Sequence, residues 1–130
     1  MVEACIKEIE WLDEDILEAE VLIEINKNTY WTFVHPCNFK VNDIVNIDFE
    51  IISLDFNEKV FFELNMNNEI KVIPDQKNRT SYICYGVIKK IHPMIIDIGD
   101  FSVDFGDWCN DNSVIDKYVY FTISRLDIIS

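Results

Sequence analysis

The chain is expected to be all-β, an antiparallel small barrel or sandwich, and three observations carry that expectation. Apolar and polar residues alternate with period 2 along most of its length. Clusters of Asn, Asp and Gly break these runs at short intervals. The pattern of the first half is echoed in the second.

Taken from the N-terminus, Ala4–Trp11 is the one stretch whose spacing also suits a helix. Leu17, Ala19, Val21, Ile23 and Ile25 then alternate with Glu18, Glu20 and Glu24, the pattern of a strand with one buried face. Asn26-Lys27-Asn28 forms a turn. Val45, Ile47, Phe49 and Ile51 alternate with Asn46, Asp48 and Glu50. Phe61–Met66 and Glu69–Ile73 read as a hairpin about Asn67-Asn68, because Asn tolerates positive φ. Phe101, Val103 and Phe105 alternate with Ser102, Asp104 and Gly106 after a turn at Gly99-Asp100. Asn110–Lys117 is expected to hold one short helical turn, and Tyr118–Asp127 to be extended. The core should then contain Val21, Ile23, Ile47, Phe49, Ile51, Phe105, Phe121 and Ile123, since each strand must bury one face.

Sliding the chain by 72 residues sets 19–55 against 91–127. Ile23/Ile95, Phe33/Phe105, Cys37/Cys109, Phe49/Phe121, Ile51/Ile123 and Leu126 against Leu54 then coincide. Upstream, Ile6-Lys7-Glu8-Ile9 echoes Ile88-Lys89-Lys90-Ile91. The organisation expected is one compact domain, 1–130, with two similar β-units, 1–56 and 81–130, joined by a hairpin at 57–80. Cys37 and Cys109 should fall in corresponding places with no disulfide between them. The run Phe39–Phe49, a turn at Asn42-Asp43 followed by an alternating strand, resembles the turn-then-strand signature of OB-like and SH3-like small barrels. Asn42 stands where those folds usually have Gly. The resemblance implies a fold and carries no activity.

At 49% apolar and 13% aromatic the chain is far too hydrophobic for an acidic disordered tail. Three Gly and three Pro leave no flexible linker and no phosphate-cradling loop. No apolar run approaches the roughly 18 residues of a membrane span, and no secretory signal is readable at the N-terminus. A cytoplasmic protein with reduced thiols is expected, since its four Cys are widely spaced.

Charge is the strongest functional signal. Of the net −13, about −8 falls in the first 24 residues, where nine carboxylates face Lys7 alone. Such a face repels nucleic acid and anionic lipid and attracts a basic protein. The candidate partner-binding residues are Glu8, Glu10, Trp11, Asp13, Glu14, Asp15, Glu18 and Glu20. A second set is Asp97, Asp100, Asp104, Asp107 and Trp108; Trp11 of the first set and Trp108 of the second are the expected exposed aromatic anchors.

Catalytic and metal readings are set aside. No Cys-x-x-Cys pair supports zinc, and His35-Pro36-Cys37 is the only local couple. The repeated Asp-x-Gly-Asp at 97–100 and 104–107 reads as turn chemistry ahead of a Ca²⁺ loop. Asp55 with Glu69-Ile70-Lys71 imitates a metal-dependent nuclease layout that the net charge opposes. No catalytic residue, metal or cofactor is therefore expected. Small size, strong acidity and missing catalytic motifs resemble in kind bacterial toxin-immunity proteins, which implies a basic toxin, for instance a nuclease, as partner. The alternative is an OB-like domain serving an assembly, a ligand or a nucleic acid.

Overall fold

The alternation closes into a barrel. The computed structural model describes residues 1–52, 62–107 and 110–129. Strands β1 (Val2–Asp13), β2 (Glu18–Ile25) and β3 (Asn28–Val34) form an antiparallel meander, and β4 (Ile44–Ile52) pairs back on β1. The last strand, β10 (Arg125–Ile129), enters between β3 and β4, parallel to the first and antiparallel to the second, and closes the order β1-β2-β3-β10-β4. This is a five-stranded small barrel, consistent with the OB/SH3-like kind. A second antiparallel sheet contains β5 (Lys71–Pro74), β6 (Tyr82–Lys90), β7 (Ile95–Asp97), β8 (Ser102–Asp104) and β9 (Tyr118–Ile123), the last pairing with β6. A single 3-10 turn, Asn112–Val114, precedes β9, where a short helical turn was expected.

The two sheets repeat one plan. β6-β7-β8 is a meander like β1-β2-β3, and β9 pairs back on β6 as β4 does on β1. Both first strands carry a bulge at the echoed residues. In β1 the pairs are Ile6↔Ile23 and Glu8↔Leu22; in β6 they are Ile88↔Ile96 and Lys90↔Ile95. Ile6 donates its N–H to the Asp43 carbonyl and accepts from the Asn42 N–H; Ile88 does the same with Lys117 and Asp116. Asn42 and Asp116 both hold positive φ, 76° and 71°, so Asn42 performs the turn usually given to Gly.

Several expectations change. A gapless shift cannot align the units, because β1 and β2 run on beyond the bulge while β6 ends at Lys90. The ladders place Phe121 opposite Cys84 as Ile47 is opposite Val2, so Phe121 corresponds to Ile47 and not to Phe49. Ala4–Trp11 lies in β1, since its partners on both sides complete a sheet. Around Asn67-Asn68 the turn is present, with Asn68 at φ 54°, but among the described residues no strand pair flanks it. There the buried Asn65 amide donates to the Glu69 and Val119 carbonyls at 2.9 Å, and its oxygen accepts the Glu69 N–H. A side chain has taken the bonds a hairpin ladder would have made. Residues 57–61 of the expected hairpin, and Cys109, lie outside the described residues.

Val21, Ile23, Ile47, Phe121 and Ile123 are buried as expected, while Phe49, Ile51 and Phe105 are half-buried against the same core. The β7–β8 turn joins the two sheets. Phe101 packs edge-on to Tyr30, with ring centroids 5.3 Å apart, and lies 4.2 Å from Phe49. Tyr82 donates its hydroxyl to the Trp31 carbonyl at 2.6 Å. Among the described residues, no helix is long and apolar enough to cross a membrane.

Candidate functional site

Besides β10, the far end of the β1–β2 hairpin is without a counterpart in the second sheet among the described residues. Beyond the shared bulge it adds the pairs Ile9↔Val21, Glu10↔Glu20, Trp11↔Ala19 and Asp13↔Glu18. A second irregularity falls between Trp11 and Asp13, leaving Leu12 outside the ladder. The strict alternation of faces breaks there, so two consecutive apolar side chains, Trp11 and Leu12, are both exposed. The turn itself is ordered. Asp15 N–H donates to the Asp13 carboxylate at 3.0 Å, Leu17 N–H donates to the Glu14 carbonyl at 3.2 Å, and Leu17 takes φ 59°.

Leu17 was expected to start the buried face of the strand. The left-handed turn instead leaves it part of an exposed apolar group with Trp11, Leu12 and Ile16, the last two about half exposed at 50% and 51%. The same hairpin end carries the exposed Asp13, Glu14 and Asp15 and the half-buried Glu18, with exposed Glu8 further down the strand. Trp11 and Leu17 are a little over one third exposed, less than the other two.

Not every acid of the cluster is free. Arg79, from the loop before β6, reaches Glu10 and Glu20, each at 2.7 Å, and stacks 3.6 Å over the Trp31 ring. Its guanidinium is held further above its ordinary pKa by these two carboxylates, which outweigh the cost of its partial desolvation. Lys7 lies 3.9 Å from Glu24. Asp13, Glu14 and Asp15 are exposed at the tip, and Glu3 and Glu8 are exposed further along β1. Arg79 was missed by the sequence reading because it is remote in the chain and has no motif.

The second candidate set behaves differently. Asp97 and Asp104 each accept the N–H of the Gly two residues on, at 2.8 and 2.7 Å, which is turn chemistry. Asp100 accepts from Asn28 at 2.8 Å, from Asn26 at 3.4 Å and from the Tyr30 hydroxyl, so it latches the β7–β8 turn to the β2–β3 turn. The Tyr30 hydroxyl is pushed above its usual pKa by burial and then by this carboxylate. Asp107 is exposed, 3.8 Å from the His92 ring. Trp108 lies outside the described residues. The hairpin tip and the Asp100 latch thus sit on separate turns, the first exposed and the second half-buried between the two sheets.

Among the described residues no three His, Cys, Asp or Glu side chains converge as metal ligands would. Glu69 pairs with Lys71 at 3.2 Å, and Asp55 of the nuclease-like layout lies outside the described residues. On β3 the outward aromatics Trp31 and Phe33 carry stacked guanidinium groups, Arg79 on the first and Arg125 on the second at 3.9 Å. Arg125 is itself held by both oxygens of Asp127 at 2.7 and 2.8 Å. No family model matches the chain, and no curated protein and no solved structure matches it at a significant level.

Proposed function

We propose that this protein is a non-enzymatic binding module whose acidic β1–β2 tip docks a basic protein partner, in the manner of an immunity or inhibitor protein that neutralises a basic toxin. The observation that carries the reading is the extension of this hairpin beyond the plan shared by both units, ending in the exposed Trp11, Leu12, Ile16 and Leu17 next in the chain to the exposed Asp13, Glu14 and Asp15. Charge at the rim accelerates encounter with a positive surface, and the apolar centre slows release. The competing nucleic-acid reading is disfavoured by the same side chains. The β3 aromatics on which bases would stack are already covered by arginines, and those arginines are neutralised by carboxylates.

The test is site-specific photo-crosslinking from position 16 in native lysate, followed by kinetics with the captured protein. A basic protein is expected. Replacing Asp13, Glu14 and Asp15 by Lys should slow association, on the order of tenfold at low salt, and flatten its salt dependence. Trp11→Ala or Leu12→Ala should act on dissociation, costing about 2 kcal/mol if the residue is a central anchor. Capture of an acidic protein or a nucleic acid, or kinetics indifferent to both sets of changes, would overturn the proposal.

A further inference from the structure

Two pairs in the outer part of the β1–β2 hairpin set carboxylate against carboxylate, Glu10 opposite Glu20 and Asp13 opposite Glu18. Like charges directly opposite on a ladder are destabilising. This part of β1 also has no strand on its other side, because β4 pairs only with Val2, Glu3, Ala4 and Cys5. A two-strand extension of this composition needs a cation to hold it together.

That cation comes from the loop before β6. The Arg79 guanidinium reaches both strands at once, Nη2 lying 2.7 Å from Glu10 and Nε 2.7 Å from Glu20. Its flat face rests 3.6 Å over the Trp31 ring on β3, so the fork is aimed before it meets either carboxylate. The loop that carries it is tied at several points. The Asp75 carboxylate accepts the Lys77 and Asn78 N–H groups, the Asn78 side chain accepts the Thr80 N–H and hydroxyl, and the Ser81 hydroxyl donates to the Ser124 carbonyl. The two acidic pairs then differ in a telling way. Glu10 and Glu20, bridged by Arg79, sit in a regular stretch of the ladder, whereas among the described residues no cation bridges Asp13 and Glu18, and the register shifts beside that pair.

We infer that Arg79 is a positioning residue: it offsets the repulsion of the Glu10–Glu20 pair and holds the extended hairpin in one register. That the fixed tip serves docking rests on the reading above; the holding itself does not. Amide hydrogen exchange followed residue by residue tests it without any partner. Arg79→Met keeps an unbranched stem over Trp31 and removes the charge. It should speed exchange of the β1 amides at residues 9–13 about fivefold, the scale of a cross-strand charge interaction, and leave β8 and β9 unchanged. Adding Glu20→Gln should restore most of the protection, since no like-charge pair is then left, whereas a loss of packing alone would not be rescued. Arg79→Lys should show a smaller rise, about twofold, with the same rescue, and it carries the test if the Met variant fails to fold. Unchanged exchange at residues 9–13, a rise spread evenly over both sheets, or no rescue by Glu20→Gln would overturn the inference. None of these outcomes alters the photo-crosslinking result, and capture of an acidic protein there would sink the docking reading while leaving the role of Arg79 in place.

Discussion

Cys84 shows how burial sets the chemistry of a single side chain. It is fully buried on β6, and desolvation pushes its thiol up to about 12, while Cys37 is raised by the same cause and Cys5 is only half-buried. A thiol must lose its proton to react. In the native protein near neutral pH an alkylating reagent should therefore modify Cys5 ahead of Cys37 and Cys84. Mass mapping of the modified peptides checks this. The same shift has a stability consequence. Between about pH 9 and 12 the unfolded chain has released this proton and the folded chain has kept it, so stability falls as pH rises, by about 1.4 kcal/mol per pH unit for one group. Below pH 9 the contribution is fully present. Cys84→Val should flatten the early part of this alkaline decline in a series of denaturant titrations. Tyr30 and Tyr82, also raised by burial, will contribute a further decline above the ordinary tyrosine range.

Among the elements, the turns that precede β4 and β9 do the same work with different residues. Asn42 and Asp116 are both exposed, both at positive φ, and both bond the first strand of their unit through Ile6 or Ile88. Since neither packs against the core, substitution isolates the backbone cost. Asn42→Ala and Asp116→Ala should each destabilise by about 1 kcal/mol, because a Cβ-bearing residue without a local polar side chain is disfavoured in this region. The corresponding Gly variants should lie within a few tenths of wild type. Urea midpoints at constant slope measure both, and a larger loss at one site than the other would show that the two turns are not equivalent. The hairpins obey the same local rule. Asn26 and Lys27, at φ 51° and 72°, make the two-residue turn that joins β2 to β3.

At the scale of the molecule, the chain order and the spatial order part company. β9 belongs to the second sheet, yet β10, which begins after Ser124 alone, completes the first barrel. Leu126 N–H also donates to the Thr80 carbonyl at 3.0 Å. The strand that closes the barrel thus follows the whole second sheet in the chain, and the Asp100 latch and the Phe101 ring pack that sheet onto the barrel. Unfolding should accordingly be one transition, coincident by far-UV circular dichroism and by tryptophan emission. A chain ending at Ser124 would leave β3 and β4 with exposed edges and should lose that transition and aggregate. Survival of a native-like cooperative transition in the truncated chain would show that the units are independent.

The sequence by itself determined which residues are extended, where most turns fall, and that one end is charged. These are local properties, written in the spacing of neighbours and in side chains such as Asn42 that tolerate a left-handed turn. The echo at a shift of 72 did not give the register in which the two sheets correspond, because loops and strand lengths differ between them and only paired backbones show which residues match. Leu17 was misplaced since periodicity extends a pattern through a turn that in fact ends it. What the tertiary structure alone decided is which charges remain available. Arg79 finds Glu20 across 59 residues and Asn28 finds Asp100 across 72, and no local pattern marks either contact. Such pairs form because closing the barrel against the second sheet brings their strands together, so Glu10 and Glu20 share one guanidinium and Asp100 is engaged by the β2–β3 turn.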